Sequence, residues 1–269
     1  VRVENPISSE MSHLRPDLLP GLLAAAARNQ ARGFMDLALF EVGPAFHGGE
    51  PGEQHLQATG LLVGAAAARD PHGSRRMVDV FDAKADAEAV LAALGAPARA
   101  QITRKVAAWW HPGRSGVIGL GPVTLASFGE IHPRVLAAMD VKGPAMAFTV
   151  LVANVPQPKV KTPTRPALAI RDLQAVERDF AFVVDARVEA LTAVNAAQGA
   201  DKALIESVRV FDQFTGDKAE AQMGAGRKSI ALTVRLQPTE RTLTEAEIDA
   251  VSAKIVEKVT KATGGTLRG

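Results

Sequence analysis

The sequence contains no cysteine, which excludes a disulfide framework, a thiolate zinc site and a cysteine nucleophile. It has no apolar run near the roughly 20 residues that a membrane-spanning helix needs, so we expect no membrane association. The first residues lack the basic start and apolar core of a signal peptide. These absences fit a cytosolic protein, and the initial Val suggests a fragment or a processed product.

The sequence also has little excess of positive over negative charge. The 269 residues carry a net charge of +2, with +3 on residues 1–170 and −1 on residues 171–269. A domain that holds RNA mainly through phosphates should be clearly basic. If the C-terminal part meets RNA, we therefore expect it to read a few bases while other parts of a larger assembly supply most of the affinity.

The last hundred residues show a strand–helix–strand–strand–helix–strand order, which is typical of a ferredoxin-like βαββαβ domain. One strand, at residues 227–237, alternates apolar side chains such as Ile230 and Leu232 with small or polar ones such as Ala231 and Thr233. Successive side chains on a strand point to opposite faces. We therefore expect one face covered by helices and one open face, a common platform for single-stranded RNA.

Local signals place the other elements of this domain. Thr244 and Glu247 fit a capping box at the start of the second helix, and Gly264 ends that helix. Strands are expected at residues 179–184 and 207–214, and the first helix at 188–198. The connection between the strands ending at 214 and starting at 227 is expected to be a glycine-containing loop.

A proline-rich segment, NVPQPKVKTPTRP at residues 154–166, allows neither a helix nor a central strand. We predict a linker at 154–170 between an N-terminal region, 1–153, and the domain at 171–269. Short strands and outer helices in the first region predict a mixed, largely antiparallel sheet. The expected helices are 16–32, 79–94 and 133–139, and the expected strands are 35–42, 56–64, 100–107, 116–120, 123–128 and 145–153.

Several segments together resemble the beta subunit of bacterial phenylalanyl-tRNA synthetase. In the first region these are NPISSEMSHLRPDLLPGLL, LFEVG, HPGRS and GEIHP; in the second they are VERDFAFVVD, VFDQF, RKSIALTVRLQPTERTLTEAEI and TLRG. The resemblance implies an α+β chain with a catalytic-like module of class II synthetase fold, followed by a ferredoxin-fold anticodon-binding domain. The family's N-terminal editing and tRNA-binding domains are expected to be absent.

The same resemblance implies partners and cofactors. The beta subunit pairs with an alpha subunit in an α2β2 heterotetramer that aminoacylates tRNA-Phe. The alpha subunit holds the active site and uses ATP and Mg²⁺, so we expect this chain to bind no cofactor itself.

Two phosphate-binding elements of class II enzymes are missing, and we expect no catalytic residue and no metal site. Leu39 stands where an Arg-x-Glu motif ending at Glu41 needs its arginine, and Leu125 stands where a Gly-x-Gly-x-x-x-Arg motif needs its own. His47 and His55 lie in a Gly-rich segment whose spacing does not fit a helical metal site, so we expect a solvated loop there. His111 and His132, each before a proline, are expected to hold turns.

The resemblance matches anticodon contacts to Asp212, Phe214 and Ser229, with a phenylalanine where a tyrosine is more usual. A ring can stack on a base, and a carboxylate can accept hydrogen bonds from base edges. Candidate phosphate partners are Arg209, Arg227, Lys228 and Arg235. Simple alternation favours the opposite interpretation, in which Asp212 and Phe214 share a face with Val208 and Val210 and Phe214 is a core ring.

Leu14, Leu18 and Leu22 recur at spacing four in the first predicted helix, and the resemblance places this segment at the contact with the alpha subunit. The alternative is an ordinary core helix. Two further alternatives for function remain open at this point: an assembly module that binds no RNA, and a free-standing class II-like ligase.

Overall fold

The computed structural model describes residues 1–9, 12–67, 70–71, 73–97, 100–157, 167 and 170–268. The chain forms two compact units, Val1–Pro163 (unit 1) and Thr164–Gly269 (unit 2). Most of the predicted linker at 154–170 lies outside the described residues. At its start, Val152–Asn154 forms a 3-10 turn and Val155 is buried in the core of unit 1.

Unit 1 contains three helices and eight strands among its described residues. The helices are α1 (Leu19–Ala31), α2 (Val80–Ala93) and α3 (Pro133–Ala138). The strands are β1 (Leu37–Phe46), β2 (Gln54–Val63), β3 (Ala65–Ala67), β4 (Arg76–Met77), β5 (Gln101–Thr103), β6 (Trp110–Leu120), β7 (Val123–Ile131) and β8 (Ala145–Leu151).

Six of these strands form one antiparallel sheet in the order β1-β2-β8-β7-β6-β5, while β3 and β4 form a separate hairpin. Side chains that alternate along the strands feed two cores. On one side, Leu61 and Ala147 pack with α1 and α3; on the other, Phe148 and Val150 pack with α2. Helices on both faces of an antiparallel sheet confirm the predicted α+β class for this unit.

Unit 2 has the βαββαβ order that its sequence predicts. Its elements are β9 (Val176–Asp185), α4 (Ala190–Gln198), β10 (Ile205–Phe214), α5 (Asp217–Met223), β11 (Arg227–Leu236), α6 (Glu245–Thr263) and β12 (Thr266–Leu267). The strands pair antiparallel in the order β10-β11-β9-β12, and α4 and α6 bury Phe182, Leu232 and Ile255 against one face. The ferredoxin-like prediction is confirmed; α5, in the predicted loop, is an addition.

The predicted capping box of α6 is confirmed. The Thr244 side chain accepts from the backbone N–H of Glu247, and the Glu247 carboxylate accepts from the Thr244 N–H at 2.9 Å. Arg241 adds a bidentate ion pair, with N–O distances of 2.6 and 3.0 Å. Hydrogen bonds from Arg241 and Thr244 lower the pKa of Glu247 to about 2. Gly264, with φ 66°, ends the helix in the left-handed conformation that favours glycine.

Some boundaries differ from those predicted. The helix expected at 16–32 begins at Leu19, with Pro20 in its first turn, where a proline removes no intrahelical hydrogen bond. The strand expected at 100–107 is only β5, three residues long, and the β3–β4 hairpin was not predicted. No helix in the described part of the chain is both long and apolar enough to span a bilayer.

Candidate nucleic-acid interface

A β-bulge in β10 decides which side chains reach the open face of the unit 2 sheet. Val208 pairs with Val234 and Val210 with Leu232, so both valines point toward the helix-covered core. The register then shifts by one residue, and Asp212 pairs with Ala231 and Phe214 with Ser229. A bulge sets two residues of one strand against one of its partner. Asp212 and Phe214 therefore lie on the open face, and the alternation-based expectation of a shared face with the valines is wrong.

The three residues matched to anticodon contacts are neighbours on this face. Phe214 is the direct cross-strand partner of Ser229, and Asp212 lies two residues away on the same edge strand. Directly paired side chains have Cβ atoms about 4.5–5.5 Å apart. Ser229 is buried, Phe214 is half-buried and Asp212 is exposed. The bulge thus brings together a ring, a carboxylate and a hydroxyl.

The four candidate phosphate partners lie in three different environments. Arg209 and Arg227 are exposed on the open face, where Arg209 pairs with Thr233 and Arg227 with Asp185. Lys228 is on the helix-covered face and 6% exposed, because it belongs to the apolar phase of β11. The structure does not bring Lys228 together with Asp212 and Phe214.

Arg235 is on the open face but is already held by two carboxylates. Its Nε donates to Glu206 at 2.7 Å and its Nη1 to Glu177 at 3.2 Å. These hydrogen bonds raise the pKa of Arg235, with that to Glu206 contributing most. On the same end of the face, Thr233 donates to Asp179 at 2.7 Å. The polar side chains at this end therefore bind one another. The bulge end carries the half-buried Phe214, and among the described residues Arg209 and Arg227 form no such ion pair.

Two of the three leucines predicted at a subunit interface are core residues of unit 1. Leu18 is 0% and Leu22 6% exposed, and Leu22 packs with the cluster between α1 and the sheet. Leu14 is half-buried in the segment before α1. In this conformation Leu18 and Leu22 expose little or no surface, which favours the core-helix alternative, and the contact with an alpha subunit stays a prediction.

In unit 1, ion pairs connect the sequence segments that resemble the family. Arg15 binds Glu41 with an N–O distance of 2.5 Å, and a Cβ on Gly43 would come within 2.7 Å of the Arg15 guanidinium. Arg114 forms a bidentate ion pair with the largely buried Glu130, and the hydrogen bonds from Arg114 lower the pKa of that carboxyl. These motifs therefore serve to hold the module together.

The two histidines that precede prolines, His111 and His132, hold turns, as predicted. His111 Nδ1 accepts from the N–H of Gly113 at 3.1 Å, and His132 Nδ1 accepts from the N–H of Arg134 at 3.1 Å. His55 instead lies in β2, where its ring stacks on His47 with centroids 4.1 Å apart, so the expected solvated loop is ordered at this end. Within the described residues, no group of three or more His, Asp or Glu is placed to hold a metal ion.

A cavity of about 480 Å³ lies beside this histidine pair, on the α1 side of the sheet. Asp17, Glu53, His55, Trp110 and Thr149 are among its lining residues, and none of the described lining residues is Lys or Arg. Burial raises the pKa of Asp17. A triphosphate needs cationic groups around it, and this cavity offers carboxylates instead.

Residues 172–268 match the ferredoxin-fold anticodon binding domain, which makes unit 2 a member of that class of domains. Residues 1–151 match the phenylalanyl tRNA synthetase beta chain CLM domain. The chain therefore belongs to the phenylalanyl-tRNA synthetase beta chain family.

Curated relatives from this family match the chain over nearly its whole length. The phenylalanine–tRNA ligase beta subunit of Cereibacter sphaeroides is 82% identical over 269 residues, and that of Ruegeria pomeroyi 72% over 268 residues. The Rhodospirillum rubrum protein is 54% identical over 266 residues. These matches cover 98–100% of this chain, which spans about a third (33%) of the length of each relative.

Phe211 is a residue of this face that the sequence reasoning missed. It is the bulged residue itself and is 50% exposed. The available signal was a break in phase: alternating Val208 and Val210 are followed, two residues on, by the charged Asp212. Such a break within a strand indicates an extra residue.

Proposed function

We propose that this chain is the part of a phenylalanyl-tRNA synthetase beta subunit that binds the tRNA-Phe anticodon and pairs with the alpha subunit. The observation that carries the RNA-binding part is the bulge in β10, which presents Asp212, Phe214 and Ser229 together on the open face. The assembled enzyme would be a cytoplasmic α2β2 heterotetramer that performs ATP-dependent phenylalanylation of tRNA.

The geometry supports base recognition over phosphate binding. A half-buried ring at the strand end offers a stacking surface worth about 1–3 kcal/mol per base. The adjacent carboxylate of Asp212 accepts hydrogen bonds from exocyclic amino groups, and Arg209 and Arg227 are free of the double clamp that holds Arg235. With a net charge of −1 on residues 171–269, the domain would select bases while other parts of the enzyme supply electrostatic affinity.

We further propose that the chemistry belongs to the alpha subunit, which would use ATP and Mg²⁺. In unit 1, Glu41 is engaged by Arg15 from the preceding segment, at 2.5 Å. The polar cavity on the same side of the sheet is lined by Asp17 and Glu53 without a described Lys or Arg. Both features are unsuited to binding a triphosphate and suit a module retained for assembly.

The surface that fits a partner subunit is the outer side of β1. Among the described strands β1 pairs only with β2, so it is an edge strand. Phe40 is 80% and Val42 59% exposed, since they point to the α2 side of the sheet and α2 packs over β7 and β8. An exposed, apolar edge strand of ten residues is a surface that proteins normally cover. We assign this strip to the alpha subunit.

The RNA-binding proposal is tested in the heterotetramer reconstituted with full-length beta subunit. Phe214→Ala and Asp212→Ala should each weaken tRNA-Phe binding about tenfold, as loss of one stacked or hydrogen-bonded base predicts. Binding is measured by filter retention, alongside aminoacylation rates at subsaturating tRNA. Lys228→Met, on the covered face, is the matched control and should leave tRNA affinity unchanged.

Unchanged affinity in both Phe214→Ala and Asp212→Ala would leave an assembly module without RNA binding as the better description. A separate measurement addresses the free-standing ligase. Phenylalanine-dependent ATP–pyrophosphate exchange should be absent with the beta chain alone and appear on adding the alpha subunit. Robust exchange by the beta chain alone would overturn the assignment of catalysis to the partner.

A further inference from the structure

Phe211 lies on the open face although its neighbour Asp212 does too. Val210 points into the core beside Leu232, so the next residue, Phe211, turns to the other side. Because Phe211 is the unpaired bulge residue, the following residue does not turn back, and Asp212 pairs with Ala231 on the same open face. The bulge thus places three side chains within four positions on one face: Phe211, Asp212 and Phe214.

A second bulge in the same strand shows that such a residue does project to the open face. At the start of β10 the register shifts between Ile205 and Ser207, which leaves Glu206 unpaired. Its carboxylate binds Arg235, an open-face residue of β11, at 2.7 Å. Glu206 stands to Ile205 as Phe211 stands to Val210, so the same geometry holds twice in one strand.

Phe211 does not belong to the hydrophobic core of unit 2. Half of its surface is accessible, whereas the rings of Phe180 and Phe182 in the same sheet are buried. An exposed ring beside a carboxylate and a second ring is costly to solvate and suited to a flat, unstacked partner. Phe211 and Phe214 are three residues apart, and because the bulge sets two residues against one, their separation along the strand is roughly 7–8 Å, enough for a base on each ring.

We infer that Phe211 is a second base-stacking residue, so that β10 holds two bases, one on each ring, with Asp212 between them. This inference rests on the proposed anticodon-binding function and adds a specificity-determining residue to it. Phe211 stacks on a base different from the one on Phe214, and the bulge is the structural reason that both rings face the RNA.

The test pairs side-chain variants with base deletions in the reconstituted heterotetramer. Phe211→Leu, Phe214→Leu and the ring-retaining Phe211→Tyr are each assayed against tRNA-Phe and against three forms with one abasic anticodon position. Phe211→Leu should weaken binding of intact tRNA about 5- to 100-fold, whereas Phe211→Tyr, which keeps a ring, should bind as tightly as the wild type. The effect of Phe211→Leu should vanish with one abasic tRNA, and that of Phe214→Leu with a different one. Phe81→Leu, another exposed ring (71%), is the control and should change nothing.

The outcomes separate this inference from the function on which it rests. If Phe214→Leu weakens binding but Phe211→Leu does not, the second stacking residue is refuted and the anticodon site stands. If both variants lose their effect on the same abasic tRNA, the two-base arrangement is wrong. If neither changes affinity, the anticodon site itself fails. A folding defect would instead weaken all four tRNAs equally and would also appear in thermal unfolding, in which case the Phe211→Tyr comparison decides.

Discussion

At Gly129 the backbones of β6 and β7 approach too closely for any side chain. Its φ is 141°, and a Cβ there would lie 2.5 Å from the carbonyl oxygen of Arg114, beside the backbone of Ser115. The approach lets Arg114 reach Glu130 across the two strands. Gly121, with φ 58°, has the same need for a positive φ but open space around it. Substitution at Gly129 therefore adds a steric clash to backbone strain, whereas substitution at Gly121 causes backbone strain alone.

We predict that Gly129→Ala lowers the free energy of unfolding of unit 1 by about 3 kcal/mol or more, since the strands must separate. Gly121→Ala should cost only about 1–2 kcal/mol, the strain of the left-handed conformation alone. Urea unfolding of the chain measures both. Equal losses for the two variants would show that β6 and β7 adjust without strain and that the close contact is unimportant.

Among the elements, α6 shows most directly how local chemistry sets an element's limits. Thr244, Glu247 and Gly264 mark its ends in the sequence, and the structure uses all three. Such signals are read correctly because their hydrogen bonds are local and need no tertiary context. The alternation in β11 was similarly informative, because one buried face requires an apolar residue at every second position.

The elements that sequence reasoning missed or misplaced depend on tertiary contacts. The bulge at Phe211 cannot be predicted from strict alternation, which placed Phe214 in the core. The heptapeptide of α5 is too short to show a helical period between Gly216 and Gly224. Leu18 and Leu22 have the spacing of an interface helix and equally of a core helix, and only the sheet packed beneath them decides. The resemblance to the family predicts Asp212, Phe214 and Ser229 as a site, and the bulge brings them onto one face.

The capping box of α6 predicts an acid-dependent stability. The pKa of Glu247 is lowered from 4.5 to about 2 by Arg241 and Thr244, so the folded state favours the carboxylate. Its contribution is complete above about pH 4.5 and is lost as the pH falls toward 2. We expect Glu247→Gln to lower the urea midpoint for unfolding of unit 2 at pH 7. The difference between the wild-type and variant midpoints should shrink as the pH approaches 2.

Circular dichroism at 222 nm during urea unfolding, repeated from pH 7 to pH 2, measures this difference. Asp249→Asn, in the same helix, is the control because no described hydrogen bond links Asp249 to the cap. A wild-type–Glu247→Gln difference that stays constant over this range would show that the cap is not pH-linked.

For the whole molecule, the edge strand β1 is the surface that we propose the alpha subunit covers. Phe40 and Val42 present an apolar strip on the α2 side of the sheet. We predict that Phe40→Glu weakens association with the alpha subunit at least tenfold, since a carboxylate would be buried in an apolar contact. Analytical ultracentrifugation of the mixed subunits measures the assembly. Val123→Glu, at the exposed first residue of β7 in the same unit, should assemble normally.

An alpha subunit that assembles equally well with the Phe40→Glu variant would exclude β1 as the pairing surface. The unpaired beta chain gives a second readout, because an uncovered edge strand promotes self-association. Phe40→Glu should therefore reduce concentration-dependent aggregation of the isolated chain, the opposite of its effect on the heteromeric assembly.

The aromatic residues are unevenly shared between the two units, and this has a practical consequence for spectroscopy. The chain has two tryptophans and no tyrosine. The buried Trp110 begins β6, and the exposed Trp109 immediately precedes it. Emission excited at 295 nm therefore comes from unit 1 alone. Unit 2 is optically silent at that wavelength, so a single tryptophan introduced beside the bulge would report RNA binding against a background that can be subtracted.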